Sequence, residues 1–228
     1  MATLTWLGNA SFRLDTDSGK RIYVDPFLNG NPKAPQNELS PERVDVIALT
    51  HGHGDHVGDT VALSKQFGDA QIVATVELKA WLGQQGANIG ELPGINKGGT
   101  QEIDGIRFTL THAQHSSGAE DLTYLGEPCG LVIRADGKSV YFAGDTNAFG
   151  DMQLIARLYR PDVAVLPVGD WFTMGPEEAA LALELLGNPR CVPCHWGTFP
   201  VLTGTPDALA QHTSAQIERI EPGDAIEL

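Results

Sequence analysis

Positive charge is scarce in this chain. Fifteen lysines and arginines stand against 29 aspartates and glutamates, for a net charge of −14, and Lys20-Arg21 is the only adjacent basic pair. Such a surface repels polyanions and anionic bilayers, so nucleic acid and membranes are excluded as partners and a small-molecule substrate is expected. Cysteine is also rare: Cys129, Cys191 and Cys194 are too few for a disulfide framework and fit a reducing compartment. No stretch approaches the roughly 18 apolar residues of a membrane span. Met1 to Ser11 lacks a basic segment leading into an apolar one, and a cytoplasmic location is expected. No repeat and no low-complexity tract is visible, so residues 1–228 read as a single domain long enough to bury a large core.

Histidine is what the chain concentrates. Three of its seven histidines and an aspartate fall within Thr50-His51-Gly52-His53-Gly54-Asp55-His56, a density seldom tolerated unless a metal ion neutralises and orders the side chains. The rest of the sequence explains where such a cluster would sit. Leu4 to Leu7, Ser11 to Thr16 and Lys20 to Asp25 read as a strand meander with a hairpin signal at Asp17-Ser18-Gly19. Residues 29 to 41 are rich in proline, glycine and asparagine and read as a loop.

From residue 44 short apolar runs alternate with polar loops or helical stretches, as strands beneath helices do. Strands are predicted at Val44 to Leu49, Ile106 to Thr111, Gly130 to Arg134, Ser139 to Ala143, Val163 to Val168 and Arg190 to Cys194. Helices are predicted at Val57 to Phe67, Glu77 to Leu82, Met152 to Tyr159 and Pro176 to Leu186, and His212 is assigned to a solvated surface helix. Strands first and alternation afterwards imply an α/β sandwich with helices outside two sheets.

Each polar cluster lies just beyond a predicted strand: the histidine motif, His115, Asp145 and His195. Four loops can thus converge on one sheet edge, where a rigid scaffold holds reactive groups. His51, His53, Asp55, His56, His115, Asp145 and His195 offer imidazole and carboxylate without thiolate, and exceed the needs of one tetrahedral ion. Two divalent ions fit the count, with zinc the leading choice and manganese, nickel or iron compatible. One division gives His51, His53 and His115 to the first ion, Asp55, His56 and His195 to the second, and makes Asp145 a bridge. Spacing alone does not establish that division. His112 stands three residues before His115 and competes with it as a ligand; a strand running into a loop favours His115. Cys191 and Cys194 form a CxxC pair, but on a strand positions three apart face opposite sides, which points to two buried structural thiols.

The HGHGDH string, a later histidine, the aspartate of Ala143-Gly144-Asp145-Thr146 and a final histidine together resemble the metallo-β-lactamase superfamily. The resemblance implies an αββα sandwich of two mixed sheets with helices on the outer faces. It also implies the ligand roles just given, and that Asp25 at a strand end orients the ligands without binding metal itself. Val24-Asp25-Pro26-Phe27-Leu28 and the string from Gly169 to Pro176 are similar to one subfamily of metal-dependent hydrolases related to ascorbate-6-phosphate lactonase. In that subfamily the ligand histidine is closely followed by serines, as in His115-Ser116-Ser117.

A binuclear centre of this kind activates a bridging water, so no protein nucleophile is needed, and Asp55 or Asp145 can relay a proton. Ser116, Trp171, Thr173 and Trp196 are candidates for the substrate pocket. Asp145 stands where secreted β-lactamases of the best-known kind carry cysteine, and His53 stands where the diiron branch carries glutamate. The expected function is hydrolysis of a small ester or lactone. A phosphodiesterase acting on a small molecule is the alternative, and a non-catalytic metal or effector binder a further one. A homo-oligomer is expected only from the habit of relatives.

Overall fold

A computed structural model describes residues 1–228. The N-terminal meander is formed by β1 (Thr3–Trp6), β2 (Phe12–Asp15) and β3 (Arg21–Val24), each antiparallel to the one before. β4 (Val46–Ala48) and β5 (Gln71–Val73) then add in parallel beside β3. A second sheet begins with β6 (Thr100–Ile103), β7 (Ile106–His112), β8 (Cys129–Ala135) and β9 (Lys138–Phe142), which run antiparallel. β10 (Val163–Pro167) and β11 (Arg190–Cys194) continue it in parallel, and β12 (Ala225–Glu227) returns to pair with β1. Both sheets are therefore mixed and six-stranded, in the orders 12-1-2-3-4-5 and 11-10-9-8-7-6.

The strand residues alternate between two apolar layers. Val163 and Val165 of β10 join Val46, Phe108, Leu131 and Val192 in the core between the sheets. Ala164 and Leu166 face the other way. They pack with α4 (Met152–Tyr159) and α5 (Pro176–Leu185) through Ile155, Ala179 and Leu183. On the opposite outer face Tyr23, Ile47 and Ile72 meet Leu63 of α2 (Thr60–Gln66) and Leu78 and Leu82 of α3 (Val76–Gln84). Helices thus cover both outer faces, giving the αββα sandwich. No helix is long and apolar enough to cross a membrane.

The segment read as one helix from Val57 to Phe67 is divided. A single turn, α1 (Gly54–Val57), precedes α2, and Gly58 separates them with φ +41°. A Cβ on Gly58 would stand 2.4 Å from the Pro26 carbonyl oxygen, so only glycine lets this turn pack on the chain leaving β3. His212 lies in a turn beyond the one-turn α6 (Pro206–Leu209), exposed but not helical. Cys191 and Cys194 do occupy opposite faces of β11, one in the outer apolar layer and the other between the sheets.

Candidate metal centre

Strand direction decides which side chains can meet. β3 and β4 are parallel, so Asp25 and His51, each just past a strand, emerge at one edge. β9, β10 and β11 are also parallel, and two antiparallel steps give β7 the direction of β9. His115, Asp145 and His195 therefore leave the second sheet at a common edge. Packing of the two sheets brings both edges together.

All seven expected ligands converge there. His51, His53, His115 and Asp145 present donor atoms within 4.8 Å of one another, and Asp55, His56 and His195 do the same. Asp145 Oδ2 lies between the two groups: 3.3 Å from His56 Nε2, 3.3 Å from His195 Nε2 and 3.6 Å from His115 Nε2. His112 is not among them. Its Nδ1 is 3.2 Å from Lys97 Nζ and its ring meets the Phe149 edge.

A hydrogen-bond chain sets the imidazoles. Asp25, 1% exposed, accepts from the Thr50 amide at 2.8 Å, the Thr50 hydroxyl at 2.6 Å and His56 Nδ1 at 2.8 Å. Because the Thr50 hydroxyl gives its proton to Asp25, its oxygen accepts from His51 Nδ1 at 3.0 Å. One buried carboxylate thereby turns the Nε2 lone pairs of both His51 and His56 toward the centre. Asn9 was not singled out from sequence: fully buried in the β1–β2 turn at φ +52°, it donates from Nδ2 to Asp55 Oδ2 at 3.0 Å. A glycine-asparagine pair is a turn signal, but nothing local ties Asn9 to a residue 46 positions away.

The two glycines of the motif act differently from one another. Neither has positive φ, so left-handed backbone is not their reason. A Cβ on Gly52 would fall 2.5 Å from Leu125 Cδ1, and its amide donates to Ser117 Oγ at 3.1 Å. Gly52 is thus a packing requirement that seats the loop bearing His115 against the loop bearing His51.

Charge is divided unevenly across the cluster. Burial, then the neighbouring His56, hold His51 well below the usual histidine range, and burial likewise lowers His53 and His115. For His195 burial opposes the charge, yet Asp145 raises it to about 9; His56 is raised in the same way by Asp145 and Asp55. Burial alone would raise Asp145, but His195 and His56 pull it well below the carboxylate range. These are protons standing where cations of higher charge would compete. The residues fit divalent ions: His56 Nε2 and Asp145 Oδ1 are buried without a hydrogen-bond partner, and the donors are imidazole and carboxylate only.

A cavity of about 770 Å³ opens beside the cluster. His53, Asp55, His115, Asp145 and His195 form one side of it, and Ser116 lines it with its hydroxyl 3.3 Å from His53 Nε2. The other three pocket candidates do not. Trp171 is 70% exposed in a turn with φ +62°, and Thr173 is not part of the cavity lining. Trp196 stacks on Trp6 at 5.3 Å and packs against the core. Phe27, Glu120, Phe172, Phe199 and Val201 line the cavity instead, and sequence reasoning had not placed Phe27, Glu120, Phe199 or Val201 there.

A sequence model of the β-lactamase superfamily domain matches residues 20–196. A UPF0173 metal-dependent hydrolase from Herpetosiphon aurantiacus is 45% identical, covering 98% of this chain and 96% of its own. The chain belongs to this hydrolase family of the metallo-β-lactamase superfamily. A second UPF0173 member, from Koribacter versatilis, is 44% identical over 97% of the chain and 96% of its own length. Among solved structures, the metallo hydrolase Igni18 from Ignicoccus hospitalis superposes with TM-score 0.87 at 35% identity, covering 99% of this chain and 97% of its own. As a UPF0173 protein the chain is a metal-dependent hydrolase, and its histidine and aspartate cluster is suited to divalent metal.

Proposed function

We propose that this protein cleaves a small ester or lactone at a centre of two divalent ions. His51, His53 and His115 would hold one ion, Asp55, His56 and His195 the other, and Asp145 would contact both; zinc is the leading choice. The observation that carries the two-ion part of this reading is the position of Asp145 Oδ2, a buried carboxylate oxygen within 3.6 Å of imidazoles from both donor groups. When bound, such ions supply an acidified water and polarise a carbonyl.

The chain's own residues do the positioning. Asp25 and Thr50 fix two imidazoles, and Asn9 holds Asp55 at the cavity wall, where its carboxylate is 27% exposed and can carry a proton to a departing alkoxide. The Ser116 hydroxyl, at the cavity margin, can donate to a substrate oxygen. Water supplies the nucleophile, so no side chain in the cavity need form a covalent intermediate.

The test is a comparison of lactones, esters, thioesters, phosphodiesters and amides with zinc- and manganese-loaded protein. Esters or lactones should show the highest kcat/KM, and Asp145→Asn should lower it by about a thousandfold while the far-ultraviolet spectrum is retained. Preference for phosphodiesters, absence of turnover on every class, or full activity of Asp145→Asn would each overturn the reading.

A further inference from the structure

The apolar part of the cavity lining is assembled from three separate loops. Phe27 follows β3, Phe172 follows β10, and Phe199 and Val201 follow β11. None of these four side chains belongs to the three apolar clusters that hold the fold together. Phe172 is 53% exposed and Val201 38% exposed, so each leaves apolar surface in water that folding alone does not use.

Their backbones are nonetheless fixed. The Phe27 amide donates to Ser11 Oγ at 2.9 Å, and the Phe172 amide to the Asp170 carbonyl at 2.7 Å within a turn closed by Asp170 N to Met174 O at 3.0 Å. The Leu202 amide donates to the Phe199 carbonyl at 3.0 Å. An apolar surface held ready in this way is preorganised for a ligand.

Charge on the cavity has one sign apart from the histidines. No lysine or arginine lines it, and beyond Asp55 and Asp145 at the cluster its remaining charged residue is Glu120. Glu120 Oε1 lies 3.6 Å from the place a Cβ on Gly54 would take, so this carboxylate stands close to the histidine motif.

Building on the hydrolase reading above, we infer that Phe27, Phe172, Phe199 and Val201 form a subsite for the non-reacting part of the substrate. That part is an uncharged apolar group, the size of a medium-length alkyl chain or a small ring. An anionic substituent remote from the scissile bond has apolar side chains or Glu120 to meet, and no lysine or arginine to pair with. The cavity is within the range of roughly 300 to 1,000 Å³ typical of small-molecule sites.

Binding of slowly hydrolysed amides to the zinc-loaded full chain tests the subsite apart from the chemistry. Acetamide, butanamide, hexanamide and octanamide should bind with affinity rising about threefold per added methylene until the wall is covered. Phe172→Ala and Phe199→Ala should flatten that slope. Hexanamide bearing a terminal sulfonate, an anion with little affinity for zinc, should bind at least tenfold more weakly than hexanamide, and Glu120→Lys should narrow the difference. A flat chain-length series, or equal binding of the sulfonate, would overturn the inference. Failure of the hydrolase reading shows instead as absence of ester and lactone turnover while the amide series retains its slope.

Discussion

At the scale of single residues, the site depends on a few buried groups whose hydrogen bonds leave little choice of orientation. Asp25 binds Thr50 through both oxygens and still accepts from His56. Asp25→Asn should therefore weaken zinc affinity by about 10- to 100-fold, measured by competition with a chromophoric chelator. His112→Asn should leave zinc content and affinity unchanged, because the His112 ring sits between Lys97 and Phe149 and outside the cluster. Loss of metal in the His112 variant would show that His115 had been given the wrong role. Sequence spacing exposed most of this layer, since histidine and aspartate are costly to gather without a metal. Asn9 escaped it because its partner Asp55 is remote in sequence and asparagine in a tight turn is ordinarily explained by backbone conformation alone.

At the scale of elements, strand ends and the bounds of α4 and α5 were legible in the sequence, whereas the boundary between α1 and α2 was not. The apolar runs of β4, β9, β10 and β11 were visible because strands buried on both faces read as continuous hydrophobic segments. β5, β6 and β12 were not anticipated: each is three or four residues long, and β6 is half exposed with two of its four residues polar and outward. The break between α1 and α2 depends on a carbonyl from the Pro26 loop, which local periodicity cannot reveal.

Two expectations belong to this scale. Gly52→Ala puts a methyl where Leu125 already lies and should destabilise by about 1 to 3 kcal/mol, or a midpoint lowered by several degrees in thermal unfolding. An unchanged midpoint would mean the two loops are free to separate. Cys129, Cys191 and Cys194 are buried, and burial pushes the Cys129 thiol up to about 12 and raises the other two further from reactivity. Iodoacetamide should leave native activity unchanged. Rapid inactivation prevented by zinc would place Cys194 at the centre.

At the scale of the whole molecule, the site is a seam. His51, His53, Asp55 and His56 come from the first sheet, and His115, Asp145 and His195 from the second, so each half is incomplete until the sheets pack. Ions that bind only the packed state should stabilise it. At a concentration a hundredfold above Kd one ion contributes about 2.7 kcal/mol, so removal by chelation should lower the unfolding midpoint by about 5 to 10 °C. Reconstitution should restore two zinc ions per chain by elemental analysis, and a stable content of one or fewer would contradict the binuclear proposal.

What the sequence determined by itself was donor chemistry and the positions of most strands along the chain. Those follow from residue type and from hydrophobic runs, both local properties. Only the tertiary structure decided what shares the cavity with the donors. Trp171 and Trp196 adjoin the motifs in sequence yet point into solvent or against Trp6, whereas Phe27, Glu120 and Phe199 reach the cavity from separate loops. Which face of a loop a side chain presents depends on the chain packed behind it, and that contact is made between sheets rather than along the sequence.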